Sequence, residues 1–439
     1  MQTVLIYGRR RIGKSELIKQ ALRSQDGKYL YYECKQTTEL NNVDSLAAAM
    51  SEVFGFPKPS FANIESLLEY IFRYSEKEPL ILVLDEYPYL RSAVNGLDSI
   101  LQSLIDNYRD SARIKFVLCG SYVEVMRSLL APGNPLYGRI DRTIYLTAMD
   151  YREASEFYPE FPEEDKVRLY CIFGGIPYYN RLIDPKRSVK ENIIELITSP
   201  GARLENEVAM YLHSEIAKIT NANEVIEALA RGFSRFSDIL SQSHVSSSPT
   251  LVDVLEKLIR MEVVSKSAPI NDESNRRKAG YYICDPLSMF TYRYCFRYAS
   301  QMRVMDPQVF YERYIQDDFE SWYVPHGFES ICRQYLIRQN RLGLLEEPFE
   351  KIGKYWYDDP KTHTNGEFDL VTQDRNGYIF YEAKFRKDPV DQKMIDEEIA
   401  QVKKTGMNCY RYGFISRSGF RDTEDDDLIL IDLKELYER

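Results

Sequence analysis

The sequence predicts an α/β domain built on a parallel sheet, followed by a helical region and an α+β region. Three observations carry this. Short apolar runs at Val4-Leu5-Ile6-Tyr7, Leu80–Leu84 and Lys115–Cys119 read as strands buried on both faces. Helical stretches separate them, as in a doubly wound domain. Far downstream, Asp374-Arg375-Asn376-Gly377 is a turn signal between two strand-like runs.

The first run leads into Gly8-Arg9-Arg10-Arg11-Ile12-Gly13-Lys14-Ser15, a complete G-x-x-x-x-G-K-[S/T] loop. Gly8 and Gly13 let the backbone curl so that successive N–H groups point at phosphate oxygens. Lys14 would reach the β- and γ-phosphates, and the Ser15 hydroxyl would hold Mg²⁺. Glu16–Leu22 reads as a helix whose N-terminus faces the anion. The motif therefore predicts nucleoside triphosphate binding.

The second run ends in Asp85-Glu86 at the carboxyl edge of its strand, where ligands of open α/β sheets bind. Asp85 would hold Mg²⁺ directly or through water, and Glu86 would polarise an attacking water. The third run enters Gly120-Ser121. Ser121 is placed like a polar sensor on a strand between the other two, and equally like the N-cap of a helix over Tyr122–Leu130.

At 439 residues the chain has room for several cores, and 44% hydrophobic with 28% charged residues is a globular composition. No apolar run is long enough to span a bilayer and the N-terminus lacks a signal-peptide layout, so a cytoplasmic protein without membrane contact is expected. The seven cysteines are scattered without a C-x-x-C pair and there are only four histidines, which argues against disulfides and zinc. A net charge of −10 argues against a general nucleic-acid coat. The acidic run Asp422–Asp427 reads as a solvated loop.

Four regions are expected: the α/β domain at 1–150, a helical lid at 151–210 broken at Gly174-Gly175-Ile176-Pro177, a winged helix at 211–305, and an α+β domain at 310–439. In the third, Asn223–Ala230 and Phe236–Leu240 read as short helices. Ser246–Thr250 starts a further helix to Arg260, Met261–Lys266 and Gly280–Cys284 read as strands, and Asn271–Lys278 reads as the wing. The helix Thr250–Arg260 carries Lys257 and Arg260 but also Asp253 and Glu256, so packing is expected of it ahead of groove reading.

In the last region, a turn centred on Arg375-Asn376 sets Asp369 opposite Glu382, with Lys384 on the same face as Glu382. Facing carboxylates need compensation, which bound Mg²⁺ or Mn²⁺ would supply. Two carboxylates and a lysine beside a divalent ion suit phosphodiester hydrolysis. An exposed hairpin edge bearing charges is the alternative. Glu329 could add a third carboxylate and Gln401 could orient a substrate.

Taken in order, Gly8–Ser15, Leu80–Glu86, Leu118–Ser121, Gly138-Arg139, Gly174–Pro177, Asp285-Pro286 and Gly366–Lys384 resemble the archaeal-type ATPase family: STAND/AAA-like P-loop ATPases with a winged helix and a C-terminal domain of the PD-(D/E)xK nuclease-like class. The resemblance implies that Gly175 and Pro177 sit near the adenine and that Arg139 senses phosphate. It also makes Asp369, Glu382 and Lys384 the nuclease core with Glu329 as its helical acid. ATP with Mg²⁺ is the implied cofactor, and DNA, a second copy of the chain or a regulatory protein are the implied partners. The implied function is a slow nucleotide switch coupled to a domain that cleaves or binds DNA. A regulator using ATP only as a conformational ligand, and a winged-helix transcription regulator, are the alternatives. In such proteins an F-x-G-R-like segment and a helix precede the first strand; here Met1 lies seven residues before Gly8, so the lead that closes over the base is expected to be missing.

Overall fold

A computed structural model describes the chain except residues 217–218, 276–277, 360–363, 424–426 and 439. The middle of the expected wing (276–277) and of the acidic run (424–426) therefore lies outside the described residues. Contacts divide the chain into two units, Met1–Ala148 and Met149–Arg439.

The first unit is a five-stranded parallel sheet. Its strands are β1 (Gln2–Gly8), β2 (Lys28–Glu33), β3 (Leu80–Asp85), β4 (Ile114–Gly120) and β5 (Arg142–Leu146), in the order β2-β3-β4-β1-β5. The apolar runs become central strands because both of their faces are covered. Leu5, Leu82, Leu84, Phe116 and Leu118 pack with helices Glu39–Phe54, Ile64–Lys77 and Leu97–Tyr108 on one side. Ile6, Val83 and Cys119 pack under Ile18 and Leu22 of helix Lys14–Arg23 on the other. Each such aliphatic side chain contributes about 1.5–3 kcal/mol of burial. Between them they fix the ends of β1, β3 and β4, where the polar motifs emerge.

The second unit begins with helices including Glu163–Phe173 and Pro177–Asn180. Helices Ile219–Ala230, Phe236–Gln242 and Ser248–Arg260 follow, the last capped by Ser247, whose hydroxyl accepts from the Thr250 amide. An antiparallel pair, β6 (Val264–Ser267) and β7 (Gly280–Ile283), comes next. Helix Val324–Leu342 then packs against a mixed sheet. Its strands β8 (Lys351–Asp359), β9 (Thr364–Asp374) and β10 (Gly377–Lys384) are antiparallel neighbours. After the short β11 (Val390–Asp391), β12 (Cys409–Ser416) lies parallel to β10. After the short β13 (Phe420–Arg421), β14 (Leu428–Asp432) completes the order β14-β12-β10-β9-β8. Among the described residues no helix is long and apolar enough to cross a membrane.

Candidate functional site

The glycine-flanked loop leaves β1 and enters its helix directly. Gly13 caps helix Lys14–Arg23 at φ 94°, a left-handed conformation suited to glycine. Gly8 answers a different need: a Cβ there would lie 2.4 Å from the Leu146 carbonyl oxygen of β5. Arg11 also has positive φ, at 68°. Ile12 and Arg9 are buried and Arg10 is exposed. The buried Lys14 donates from Nζ to the carbonyls of Gly8 and Arg9, both at 3.0 Å. Burial lowers its pKa, against the raising influence of charges that include Glu86 and Asp85.

Asp85 collects donors from three elements. Its Oδ2 accepts from Ser15 Oγ at 2.6 Å and from the Tyr31 hydroxyl, and its Oδ1 accepts from the Glu86 amide at 2.9 Å. Burial alone would raise its pKa; hydrogen bonds from Cys119, Ser15 and Tyr31 outweigh that and hold the carboxyl below its usual range. Tyr31 reaches it because β2 lies beside β3 with Tyr31 paired to Val83. A hydroxyl oxygen and an ionised carboxylate at one point are the hard ligands Mg²⁺ takes, so Ser15 and Asp85 fit that ion.

Glu86 follows in the left-handed region at φ 51°. Its Oε1 accepts from Ser121 Oγ at 2.7 Å and its Oε2 from the Ser121 amide at 3.3 Å. Strand β4 lies between β1 and β3, as the sensor reading required. The N-cap alternative does not form: the helix is Val123–Ser128, its cap position is Tyr122, and the Ser121 hydroxyl is spent on Glu86.

Arg139 is engaged away from the loop within its own unit. Its guanidinium forms a two-pronged pair with Asp106, at 2.8 and 2.7 Å. Two residues on, the Asp141 amide bonds the carbonyl of Thr3, at the end of β1 away from the loop. Five residues of extended strand put that end roughly 16 Å from Gly8. Within this unit Arg139 ties its own loop to helix Leu97–Tyr108.

Gly175 and Pro177 lie in the second unit and have structural reasons of their own. A Cβ on Gly175 would lie 1.8 Å from the Met149 carbonyl oxygen, and the Met149 amide bonds the Gly175 carbonyl at 2.9 Å. Pro177 opens helix Pro177–Asn180, where its missing N–H costs nothing.

In the mixed sheet, the hairpin has the expected register. Tyr381 pairs with Leu370, the last pair of this ladder; Glu382 and Asp369 lie just beyond it, where β9 shifts register against β8. The compensation comes from lysines. Lys354 Nζ lies 2.7 Å from both Asp369 and Glu367, and Lys384 Nζ lies 2.6 Å from Glu382 and 2.8 Å from Glu398. Burial pushes Glu382 up to about 7 despite Lys384, with Glu398 and Glu329 adding to the rise. Glu329 sits in the second turn of helix Val324–Leu342, 3.3 Å from His326 Nδ1. Gln401 Nε2 lies 3.4 Å from the Tyr357 hydroxyl. Among the described residues no three His, Cys, Asp or Glu side chains gather as a metal site, so Asp369, Glu382 and Glu329 are not brought together as one. Lys354 and Glu398 escaped the sequence reading, as did Tyr31; none belongs to a motif, and only strand order and helix packing bring them in.

Residues 1–182 match the family described as an ATPase domain predominantly from Archaea. The N-terminal part of the chain carries a P-loop ATPase domain. Residues 291–399 match a family described as archaeal and bacterial proteins of unknown function. The chain is 25% identical over 438 residues to the uncharacterized protein MJECL04 of Methanocaldococcus jannaschii, covering 98% of this chain and 94% of the relative. Among solved structures, it resembles the Walker-type ATPase paby2304 of Pyrococcus abyssi (TM-score 0.50, 20% identity, 66% of this chain and 91% of that one). A second is the ORC2 protein of Aeropyrum pernix in ADPNP–ADP complexes (TM-score 0.44, 15% identity, 69% and 87%). At these identities the first likeness is one of fold. The ATPase domain is thus supported by its loop, its acidic strand end and its family match; the mixed-sheet domain has no such assignment of activity.

Proposed function

We propose that the chain is an ATP-dependent switch. ATP binds the loop Gly8–Ser15, with backbone N–H groups and Lys14 on the phosphates. Mg²⁺, held by Ser15 and by Asp85 directly or through water, supplies charge neutralisation at the phosphates. Glu86 orients the attacking water, and Ser121 holds Glu86 until the site is engaged. The observation that carries this reading is the convergence of Ser15, Asp85, Glu86 and Ser121 at the carboxyl ends of β1, β3 and β4. Lys14→Ala tests it: nucleotide binding, read by calorimetry, should fall below detection. Unchanged affinity in a folded variant overturns it.

The helices and the β6–β7 pair at 211–305 are proposed to be a winged helix that packs and does not read DNA. Lys257 and Arg260 pair with Asp253 and Glu256 one turn back, at 2.9 and 3.8 Å, which leaves little net positive charge for a groove. The mixed sheet is proposed to be nuclease-like in fold and to bind nucleic acid without cutting it. What favours binding over cleavage is that each acid of the Asp369–Glu382 pair already has a lysine at 2.7 or 2.6 Å. Incubation of the pure chain with DNA and Mn²⁺ separates the two readings. No cleavage is expected; cleavage abolished by Asp369→Ala would establish the nuclease.

A further inference from the structure

The second unit contains an open cavity of about 210 Å³ between the β6–β7 pair, strand β8 and helix Val324–Leu342. Its walls are aromatic, with Tyr282, Trp322 and Tyr323 among them, and it is also lined by Glu329, Arg333 and Lys354. None of these carries a role in ATP hydrolysis.

The two cations differ. Lys354 is balanced by Asp369 and Glu367, both at 2.7 Å, and its ammonium lies over the Tyr282 ring at 4.7 Å. Arg333 has no carboxylate within ion-pair distance among the described residues. Its Nη2 donates to the Asp369 backbone carbonyl at 3.3 Å, and its Nε is buried without a hydrogen-bond partner. The Arg333 guanidinium lines the cavity without a carboxylate to balance it, and an acidic ligand group supplies that balance. Trp322 already stacks with His326 at 5.0 Å and carries the Arg293 guanidinium at 3.6 Å, so a flat ring would extend this aromatic cluster, and a carboxylate such as Glu329 accepts from ring amino groups. Volume for several waters beside one uncompensated cation suits a ring plus one acidic group.

We propose that this cavity binds a nucleotide unit, with the base against the aromatic wall and the phosphate on Arg333. The unit comes either from a free mononucleotide or from the end of a single strand. The site is separate from the ATP loop, and the inference does not rest on the nuclease reading.

The chain has two tryptophans. Trp356→Phe leaves Trp322, at the cavity wall, as the sole indole reporter, and Lys14→Ala keeps the ATP loop out of the signal. In this full-length background, AMP, CMP, GMP, UMP and short single-stranded DNA are titrated against fluorescence. Saturable quenching is expected from at least one of them. Arg333→Gln should weaken it about tenfold or more, the loss expected for a hydrogen bond to a charged group. Ser330→Phe, which narrows the cavity from an exposed position, should weaken it as well. Saturation by mononucleotides alone identifies a free ligand, and saturation by DNA alone identifies a strand end. No saturable response to any probe, or equal affinities in both variants with unchanged melting, overturns the proposal. ATP binding by the loop is measured separately with Lys14 intact, so failure of the switch reading and failure of this one are distinguishable.

Discussion

Tyr31→Phe removes one donor from Asp85 while leaving ring volume and charge untouched. The Tyr31 hydroxyl shares Asp85 Oδ2 with Ser15. A hydrogen bond to a charged group is worth about 1.5–3 kcal/mol, and Tyr31 is half-buried, so the low end applies. For a unit of this size about 1.5 kcal/mol corresponds to roughly 3–6 °C in melting temperature. Tyr29→Phe is the matched control, since Tyr29 lies on the same strand and is 42% exposed. Differential scanning calorimetry of both variants at neutral pH without nucleotide reads the difference. A second reading follows from the same geometry: with one fewer donor, the Asp85 carboxyl is less tightly fixed, and more Mg²⁺ should be needed for half-maximal ATP binding. If Tyr31→Phe melts with Tyr29→Phe and needs no more Mg²⁺, the hydroxyl contributes nothing to Asp85 and the reasoning fails.

Glu86→Gln should retain ATP binding and lose about 10²–10⁴-fold in hydrolysis rate, the range for a lost general base, measured by phosphate release. Glu382 has a folded pKa of about 7, above its unfolded value, so the folded state holds the extra proton between the two. Stability from this group is therefore greatest below the unfolded pKa and declines as pH rises towards 7. Melting temperatures of the wild type should fall across that window relative to Glu382→Gln, and parallel curves would contradict the assignment. Gly175→Ala should destabilise by about 3 kcal/mol through overpacking against the Met149 carbonyl, read by chemical denaturation.

The strands β1, β3 and β4 were legible because burial on both faces writes itself as an unbroken apolar run, and the loop because its glycines and lysine are local. The helix order and Ser247 cap in the 211–305 region were legible for the same reason: caps and periodicity act within a few residues. What escaped depends on sheet order. Tyr31 and Asp85 are 54 positions apart and meet only because β2 neighbours β3. The choice between two uses of the Ser121 hydroxyl also depended on β4 lying beside β3. Arg139 was placed by analogy of a short segment, and the Asp106 pair that claims it lies 33 residues away. The hairpin register as far as Tyr381–Leu370 followed from turn chemistry alone, but Lys354 reaches Asp369 from a third strand that no local pattern ties to that hairpin.

The grip of Ser121 on both oxygens of Glu86 has a directional consequence. If Glu86 is the group that readies water, each oxygen keeps an acceptor site beside its Ser121 bond, and the clasp fixes which way that site faces. A displacement of β4 relative to β3 would swing that carboxylate with it, so strand alignment sets the direction of the one acid at this sheet edge that Ser121 holds.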